Sequence, residues 1–185
     1  MEQVAAIRLS VPTPADMRAV GRDLARLSRA GDLLILSGAL GAGKTLLTQG
    51  IGEGLGVTSV ITSPTFVICR RHAGTGGQPG LLHADAYRLT SADEIDDLDL
   101  ESDMADSVTV IEWGRGLADH LSPDRLEIEI SLSANPDDDT REVLVTPVGR
   151  RWDHLVPSWE RIVNQDMEGG LVRDPALTPT GDNDV

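Results

Sequence analysis

One octapeptide, residues 38–45, constrains this chain more than any other feature of its sequence. It matches the pattern G-x-x-x-x-G-K-[ST] in full, and its residues are Gly38, Ala39, Leu40, Gly41, Ala42, Gly43, Lys44 and Thr45. Glycines allow positive φ angles and a close approach of the backbone, so consecutive N–H groups can surround a phosphate. The pattern therefore predicts a loop that binds nucleotide phosphates.

The segments on either side of this loop provide the structural context that the pattern requires. The apolar run 33–36 is typical of a strand buried on both faces, and a helix is predicted from Lys44 to about residue 55. That helix would present its N-terminus to the same anion. Lys44 would then reach the β- and γ-phosphates, and the Thr45 hydroxyl would bind Mg²⁺. The alternative, a chance glycine-rich turn, does not require this context.

Strands and helices alternate along the chain, which predicts an α/β fold with a mostly parallel sheet. A first helix is predicted to begin at Pro14, with Thr13 as its N-cap. Further strands are predicted at 5–11, 60–61, 66–68, 81–85, 108–112, 125–132 and 142–148.

The length of 185 residues allows one domain and a tail. We expect a P-loop domain over 1–149, a C-terminal extension with helical character over 150–164, and a disordered tail over 165–185. The tail prediction rests on its Pro-, Gly- and Asp-rich composition.

Charge and cysteine content exclude several classes of function. The chain has 30 acidic and 16 basic residues, a formal charge of −14, which disfavours binding to DNA, RNA or anionic membranes by the chain alone. Its single cysteine, Cys69, excludes an intramolecular disulfide and CxxC zinc sites. No apolar run reaches the roughly 18 residues that span a bilayer, and the first residues lack a signal-peptide pattern. We therefore expect a cytoplasmic protein.

Two acidic residues follow predicted strands and are candidates for the chemistry. Glu112 ends the apolar run 108–111 and is the better candidate for a Mg²⁺ ligand, although an acid where a strand leaves the core is the alternative. Asp85 ends another strand and could orient the attacking water, could bind Mg²⁺ through water, or could form a turn. His83 shares its face, and a packed or hydrogen-bonded histidine is the favoured interpretation.

Two further segments carry more open interpretations. Ser63, Pro64 and Thr65 lie where a nucleotide-sensing switch loop could be, but local sequence alone favours a proline-shaped turn. Residues 93–106 carry eight acids and no base, which is more typical of a solvated helix face than of a docking surface for a basic partner.

Taken together, these motifs resemble the TsaE (YjeE) family of small bacterial P-loop ATPases, which are needed for the threonylcarbamoyladenosine (t6A) modification of tRNA. The resemblance covers roughly residues 7–149. Its motifs, in chain order, are the loop 38–45, the S-P-T-F of 63–66, the H-x-D-x-Y-R-L of 83–89 and the E-W of 112–113.

The resemblance implies a P-loop NTPase-like three-layer sandwich that binds ATP and Mg²⁺. It implies Mg²⁺ ligation by Thr45 and Glu112 and a role for Asp85 in hydrolysis, so Lys44, Asp85 and Glu112 are the predicted catalytic residues. Trp113 would lie beside the nucleotide. The segment before the first helix would help to hold the base, which makes Thr13 a candidate ATP-binding residue.

The family also implies a partner, a TsaD–TsaB pair, in which TsaD transfers the threonylcarbamoyl group to adenosine in tRNA. The chain would then be an ATPase subunit that is stimulated by this pair and meets tRNA only through the complex. Two alternatives stay open. They are a small-molecule P-loop kinase and an adaptor that senses ATP without hydrolysing it.

Overall fold

A computed structural model describes residues 6–66, 68–133 and 138–168 of the chain. The strands are β1 (Ile7–Val11), β2 (Leu33–Gly38), β3 (Cys69–His72), β4 (Gly80–Asp85), β5 (Ser107–Glu112), β6 (Arg125–Leu132) and β7 (Arg141–Val148). The helices are α1 (Pro14–Leu27), α2 (Lys44–Gly54), α3 (Ala92–Asp96), α4 (Glu101–Met104) and α5 (Leu155–Glu168), with 3₁₀ turns at Asp119–Leu121 and Arg150–Trp152.

All seven strands form one sheet in the order β1-β7-β6-β2-β5-β4-β3. The four central strands, β6, β2, β5 and β4, are parallel to one another, while β7, β1 and β3 add antiparallel pairs at the two sides. The predicted α/β fold with a mostly parallel central sheet is confirmed. Because β2, β4 and β5 are parallel, their carboxyl ends meet at one edge of the sheet.

Helices cover both faces of the sheet and create two hydrophobic cores. One core lies beneath α1, α2 and α5, and the other beneath α3, α4 and the turn at Asp119–Leu121. Helix α1 begins as predicted, with a capping box between Thr13 and Asp16. Helices α1 and α2 pack closely because Gly50 has no side chain, and a Cβ there would collide with the Arg18 carbonyl oxygen.

The two strands predicted around Ser63–Pro64 are wrong. Residues 60–61 have no regular structure, the strand β3 begins only at Cys69, and residue 67 lies outside the described part. Part of the physical reason is local, and part is the contact of Ser63 and Thr65 with Asp85. The Pro64 carbonyl accepts a hydrogen bond from the Ile68 N–H at 2.6 Å, and Ile68 has a positive φ of 72°, so the chain turns before it can pair.

The segment after β7 packs on the first core rather than standing apart from it. Trp152, Leu155 and Trp159 are buried there. The Arg151 guanidinium reaches back to Asp32, with its Nη2 2.7 Å from Oδ2. Helix α5 runs to Glu168, past the boundary expected at 164, and residues 169–185 of the predicted tail lie outside the described residues. No helix in the described ranges is long and apolar enough to cross a membrane.

Candidate nucleotide site

The glycine-rich loop connects the carboxyl end of β2 to the first turn of α2, as the sequence predicts. Gly38, Gly41 and Gly43 all have positive φ angles, of 141°, 77° and 113°. At Gly38 a Cβ would also collide with the Ile130 carbonyl oxygen on β6. Residues other than glycine would strain this backbone, which explains the composition of the loop.

Lys44 is 4% exposed, and protein groups already satisfy its ammonium group. Its Nζ donates to the Gly38 carbonyl at 2.8 Å and to the Ala39 carbonyl at 2.9 Å, and it lies 4.0 Å from the centroid of the Trp113 ring. Burial lowers the pKa of Lys44 below its ordinary value, while the charges of nearby carboxylates oppose this shift. A phosphate would replace these contacts with a stronger, charged partner.

Thr45 and Glu112 meet at the carboxyl edge of the sheet, where β5 ends. The Thr45 hydroxyl donates to Oε1 of Glu112 at 2.9 Å and lies 3.3 Å from Oε2. Glu112 is 3% exposed and has a second partner behind it, since Nε2 of His83 lies 2.8 Å from the same Oε1.

The residues present fit a magnesium ion. Mg²⁺ is a hard cation that takes oxygen ligands, and in nucleotide sites it uses one or two protein groups together with phosphates and waters. The Thr45 hydroxyl and the Glu112 carboxylate supply such a pair. Among residues 6–66, 68–133 and 138–168 there is no group of three or more His, Cys, Asp and Glu side chains that could hold a metal ion. A magnesium ion here would therefore need ligands from a bound nucleotide as well.

Asp85 ends β4 directly beside Glu112 in the sheet register. It also forms hydrogen bonds with the predicted switch segment, residues 63–65. Its Oδ2 accepts hydrogen bonds from Ser63 Oγ at 3.0 Å and from Thr65 Oγ1 at 2.5 Å. Its Oδ1 accepts from the Tyr87 N–H at 2.9 Å. Asp85 therefore connects the segment 63–65 to the edge that carries the loop.

These side chains line one cavity of about 500 Å³. The predicted site residues on its wall are Leu40, Gly41, Gly43, Lys44, Thr45, Ser63, Thr65, Asp85, Glu112 and Trp113. Tyr87 also lines it and lies against Trp113, with the ring centroids 5.2 Å apart. Tyr87 was not among the predicted site residues, although its position two residues after Asp85 in the H-x-D-x-Y-R-L motif could have indicated it.

The remaining predicted site residues lie around this cavity. Gly38 and Ala39 turn carbonyls toward Lys44, and Pro64 is buried. Thr13 and Ala42 line a neighbouring cavity of about 260 Å³, which shares Gly41, Gly43 and Leu46 with the first. The structure therefore brings Thr13 to the same cavity as Gly41 and Gly43, whereas Glu112 and Asp85 line the larger one.

His83 is buried and hydrogen-bonded, in agreement with the favoured interpretation of the sequence. Its partner was not predicted, because strands β4 and β5 are separated in sequence and their register alone brings His83 to Glu112.

Comparisons with known proteins identify relatives of the chain. A family model described as "Threonylcarbamoyl adenosine biosynthesis protein TsaE" matches residues 11–143. The tRNA threonylcarbamoyladenosine biosynthesis protein TsaE of Streptomyces coelicolor is 54% identical over 138 residues, which cover 74% of this chain and 93% of that protein. The TsaE protein of Bacillus subtilis is 37% identical over 149 residues, 80% of this chain and 90% of that protein.

The fold has a solved counterpart as well. The crystal structure of Bacillus subtilis YdiB superposes with a TM-score of 0.71 and 30% sequence identity, covering 89% of this chain and all of that chain. Since the family model spans most of the chain and the two relatives above align over at least 90% of their own length, the chain belongs to the TsaE family.

Proposed function

We propose that this chain is the ATPase subunit of a tRNA-modifying complex, which hydrolyses ATP with Mg²⁺ in the biosynthesis of threonylcarbamoyladenosine. The observation that carries the proposal is the convergence of Lys44, Thr45, Asp85 and Glu112 on one cavity at the carboxyl edge of a parallel sheet. The names of the relatives, which are tRNA threonylcarbamoyladenosine biosynthesis proteins, supply the biological setting.

Each residue has a distinct part in hydrolysis. The loop N–H groups and the N-terminus of α2 hold the phosphates, and Lys44 stabilises negative charge on the γ-phosphate. Thr45 and Glu112 would hold Mg²⁺, which supplies charge neutralisation on the phosphate oxygens when bound. Asp85 lines the same cavity, and in this proposal it orients a water for in-line attack.

The neighbouring cavity supports the position proposed for the base. It lies beside the loop residues Gly41 and Gly43 and is lined mainly by apolar side chains, together with Thr13, Asp139 and Arg141. An aromatic base fits such a surface better than a triphosphate does. We therefore place the phosphates in the larger cavity and the adenine near Thr13.

A charge of −14 favours a protein partner over direct contact with tRNA. We propose that a TsaD–TsaB pair is this partner, that tRNA is met only through the complex, and that the protein acts in the cytoplasm.

The test is steady-state ATP hydrolysis by the purified chain, alone and with the TsaD–TsaB pair. Lys44→Ala serves as the blank, and Arg22→Ala is the matched control because Arg22 makes an exposed ion pair with Glu53 away from the cavity. Strong stimulation by the pair, absent in Lys44→Ala and retained in Arg22→Ala, is the expected result.

Two results would contradict the proposal. Tight ATP binding without turnover in either condition would favour the ATP-sensing adaptor. Transfer of the γ-phosphate to a small acceptor, detected with labelled ATP, would favour the kinase.

A further inference from the structure

His83 is fully buried behind the cavity and contacts the metal-site carboxylate directly. Its Nε2 lies 2.8 Å from Oε1 of Glu112, and the Thr45 hydroxyl donates to that same oxygen at 2.9 Å. Both donors contact Oε1. In the part of the chain that the structure describes, the one hydrogen-bond contact of Oε2 is the longer approach of the Thr45 hydroxyl, at 3.3 Å. The carboxylate is therefore held from one side.

The direction of this hydrogen bond follows from the chemistry of the partners. An ionised carboxylate only accepts, so the ring nitrogen Nε2 must carry the proton and donate it. The other nitrogen, Nδ1, is buried without a hydrogen-bond partner in the part of the chain that the structure describes. The imidazole thus directs its N–H to Glu112.

Packing alone does not explain a histidine at this position. Burying an imidazole costs free energy unless its polar atoms are hydrogen-bonded, and one of its two nitrogens has no partner here. Leu81, which lies two residues before His83 on the same face of β4, is fully buried and apolar. The side chain is therefore explained better by what it does for Glu112 than by the volume it fills.

We infer that His83 is a positioning residue, which anchors Oε1 of Glu112 so that Oε2 and the Thr45 oxygen are presented to the magnesium ion of the nucleotide. His83 does not line the cavity itself and acts through Glu112. The inference rests on the proposed function, since it assigns a role toward the same metal. Residues that orient metal ligands in this way typically contribute a factor of ~10–100 to metal affinity.

The experiment measures binding rather than turnover. Calorimetry with AMP-PNP gives the nucleotide affinity of the full chain in EDTA and at increasing Mg²⁺ concentrations. From this series we obtain the Mg²⁺ concentration at which the increase in nucleotide affinity is half-maximal. The variants are His83→Leu, which removes the donor, and His83→Gln, whose amide N–H can reach the position of Nε2. His72→Leu is the matched control, because His72 is also buried but contacts Ser59 at 2.7 Å through Nδ1.

We expect His83→Leu to need ~10-fold more Mg²⁺ while its affinity in EDTA stays at the wild-type value. His83→Gln should recover most of the Mg²⁺ response, and His72→Leu should keep all of it. A general loss of structure would lower both affinities together, so the separation of the two readouts identifies positioning.

An unchanged Mg²⁺ response in His83→Leu would overturn the inference, as would equal impairment of the Leu and Gln variants. If His83→Leu fails to fold, the pair His83→Gln and His83→Asn decides, since the Asn side chain is too short to reach Glu112. Equal Mg²⁺ responses in that pair would overturn the inference. By contrast, wild-type protein that binds no nucleotide in either buffer would overturn the proposed function itself.

Discussion

The ammonium group of Lys44 lies 4.0 Å from the centre of the ring of Trp113, the residue that directly follows Glu112 in the sequence. The backbone of Trp113 is left-handed, with a φ of 61°, and its backbone N–H donates to the Leu36 carbonyl at 2.8 Å. A cation over an indole contributes about 0.5–2 kcal/mol, a contact that an incoming phosphate must replace or share.

The contact predicts a fluorescence signal for nucleotide binding. A phosphate that draws Lys44 Nζ away from the indole changes the electric field at the Trp113 ring. The fluorescence emission of Trp113 should therefore shift when ATP or AMP-PNP is added. Trp152 and Trp159 are buried in the core beneath the helices and should not respond. Titration of wild-type protein and of Trp113→Phe checks this, and a full nucleotide-induced change in Trp113→Phe would contradict it.

Lys44 is the only lysine in the sequence, which allows a chemical test of the loop. Burial lowers the pKa of its ammonium group, so more of the neutral amine is present at pH 8 than for an ordinary lysine. We expect pyridoxal phosphate followed by borohydride to modify Lys44, and ATP to protect it.

Peptide mass spectrometry reads the modified site in the labelling experiment. Lys44→Arg is the control, because it leaves the terminal amine as the one remaining primary amine in the sequence. Labelling of Lys44 that proceeds equally with and without ATP would show that nucleotide does not reach the loop.

Asp85→Asn should separate catalysis from nucleotide binding. The substitution removes a negative charge that accepts hydrogen bonds from both Ser63 and Thr65, while the phosphate loop is untouched. We expect turnover with Mg²⁺ to fall roughly 100-fold, because a group that positions the nucleophile is lost, and the AMP-PNP affinity to change little.

The control for Asp85 is Asp103→Asn, which removes an exposed acid paired with Arg71. Turnover rates of the two variants, measured at saturating ATP, give the answer. Wild-type turnover in Asp85→Asn would restrict Asp85 to shaping the segment 63–65.

Arg151→Met tests how the segment after β7 is attached to the core. Arg151 donates to Asp32 through Nε at 3.0 Å and Nη2 at 2.7 Å, and Asp32 is 5% exposed. Loss of the cation leaves a buried carboxylate without its charged partner, so we expect the free energy of unfolding to fall by about 2 kcal/mol. Since the pair lies away from the nucleotide cavity, AMP-PNP affinity should stay the same.

Chemical denaturation of Arg151→Met, Asp32→Asn and the double variant measures the coupling between the two residues. Arg71→Met, which breaks the exposed pair with Asp103, should cost less than about 1 kcal/mol. Equal losses in Arg151→Met and Arg71→Met would mean that the buried pair does not attach the segment.

The local parts of the site could be predicted from the sequence because they depend on chain neighbours. The loop 38–45 requires glycines at its turns, and Lys44 and Thr45 begin a helix that directly follows it. Glu112 and Asp85 end apolar strands, so their location at a sheet edge follows from the pattern. The predicted parallel sheet then brings these ends together.

The sequence pattern failed where a side-chain contact overrides local propensity. Residues 60–61 and 66–68 contain β-branched and aromatic side chains, yet Asp85 holds Ser63 and Thr65 in an irregular segment instead. Strand propensity describes how a residue suits a sheet and does not include such a competing contact.

By itself the sequence determined the phosphate loop, the acids at the strand ends and the alternation that produces an α/β sheet. Only the tertiary structure decided which side chains meet, since the strand order and register place His83 against Glu112, and Arg151 meets Asp32 across 119 residues. The physical reason is that backbone patterns depend on neighbours along the chain. Contacts between distant side chains depend on how whole strands and helices pack, which no short segment encodes.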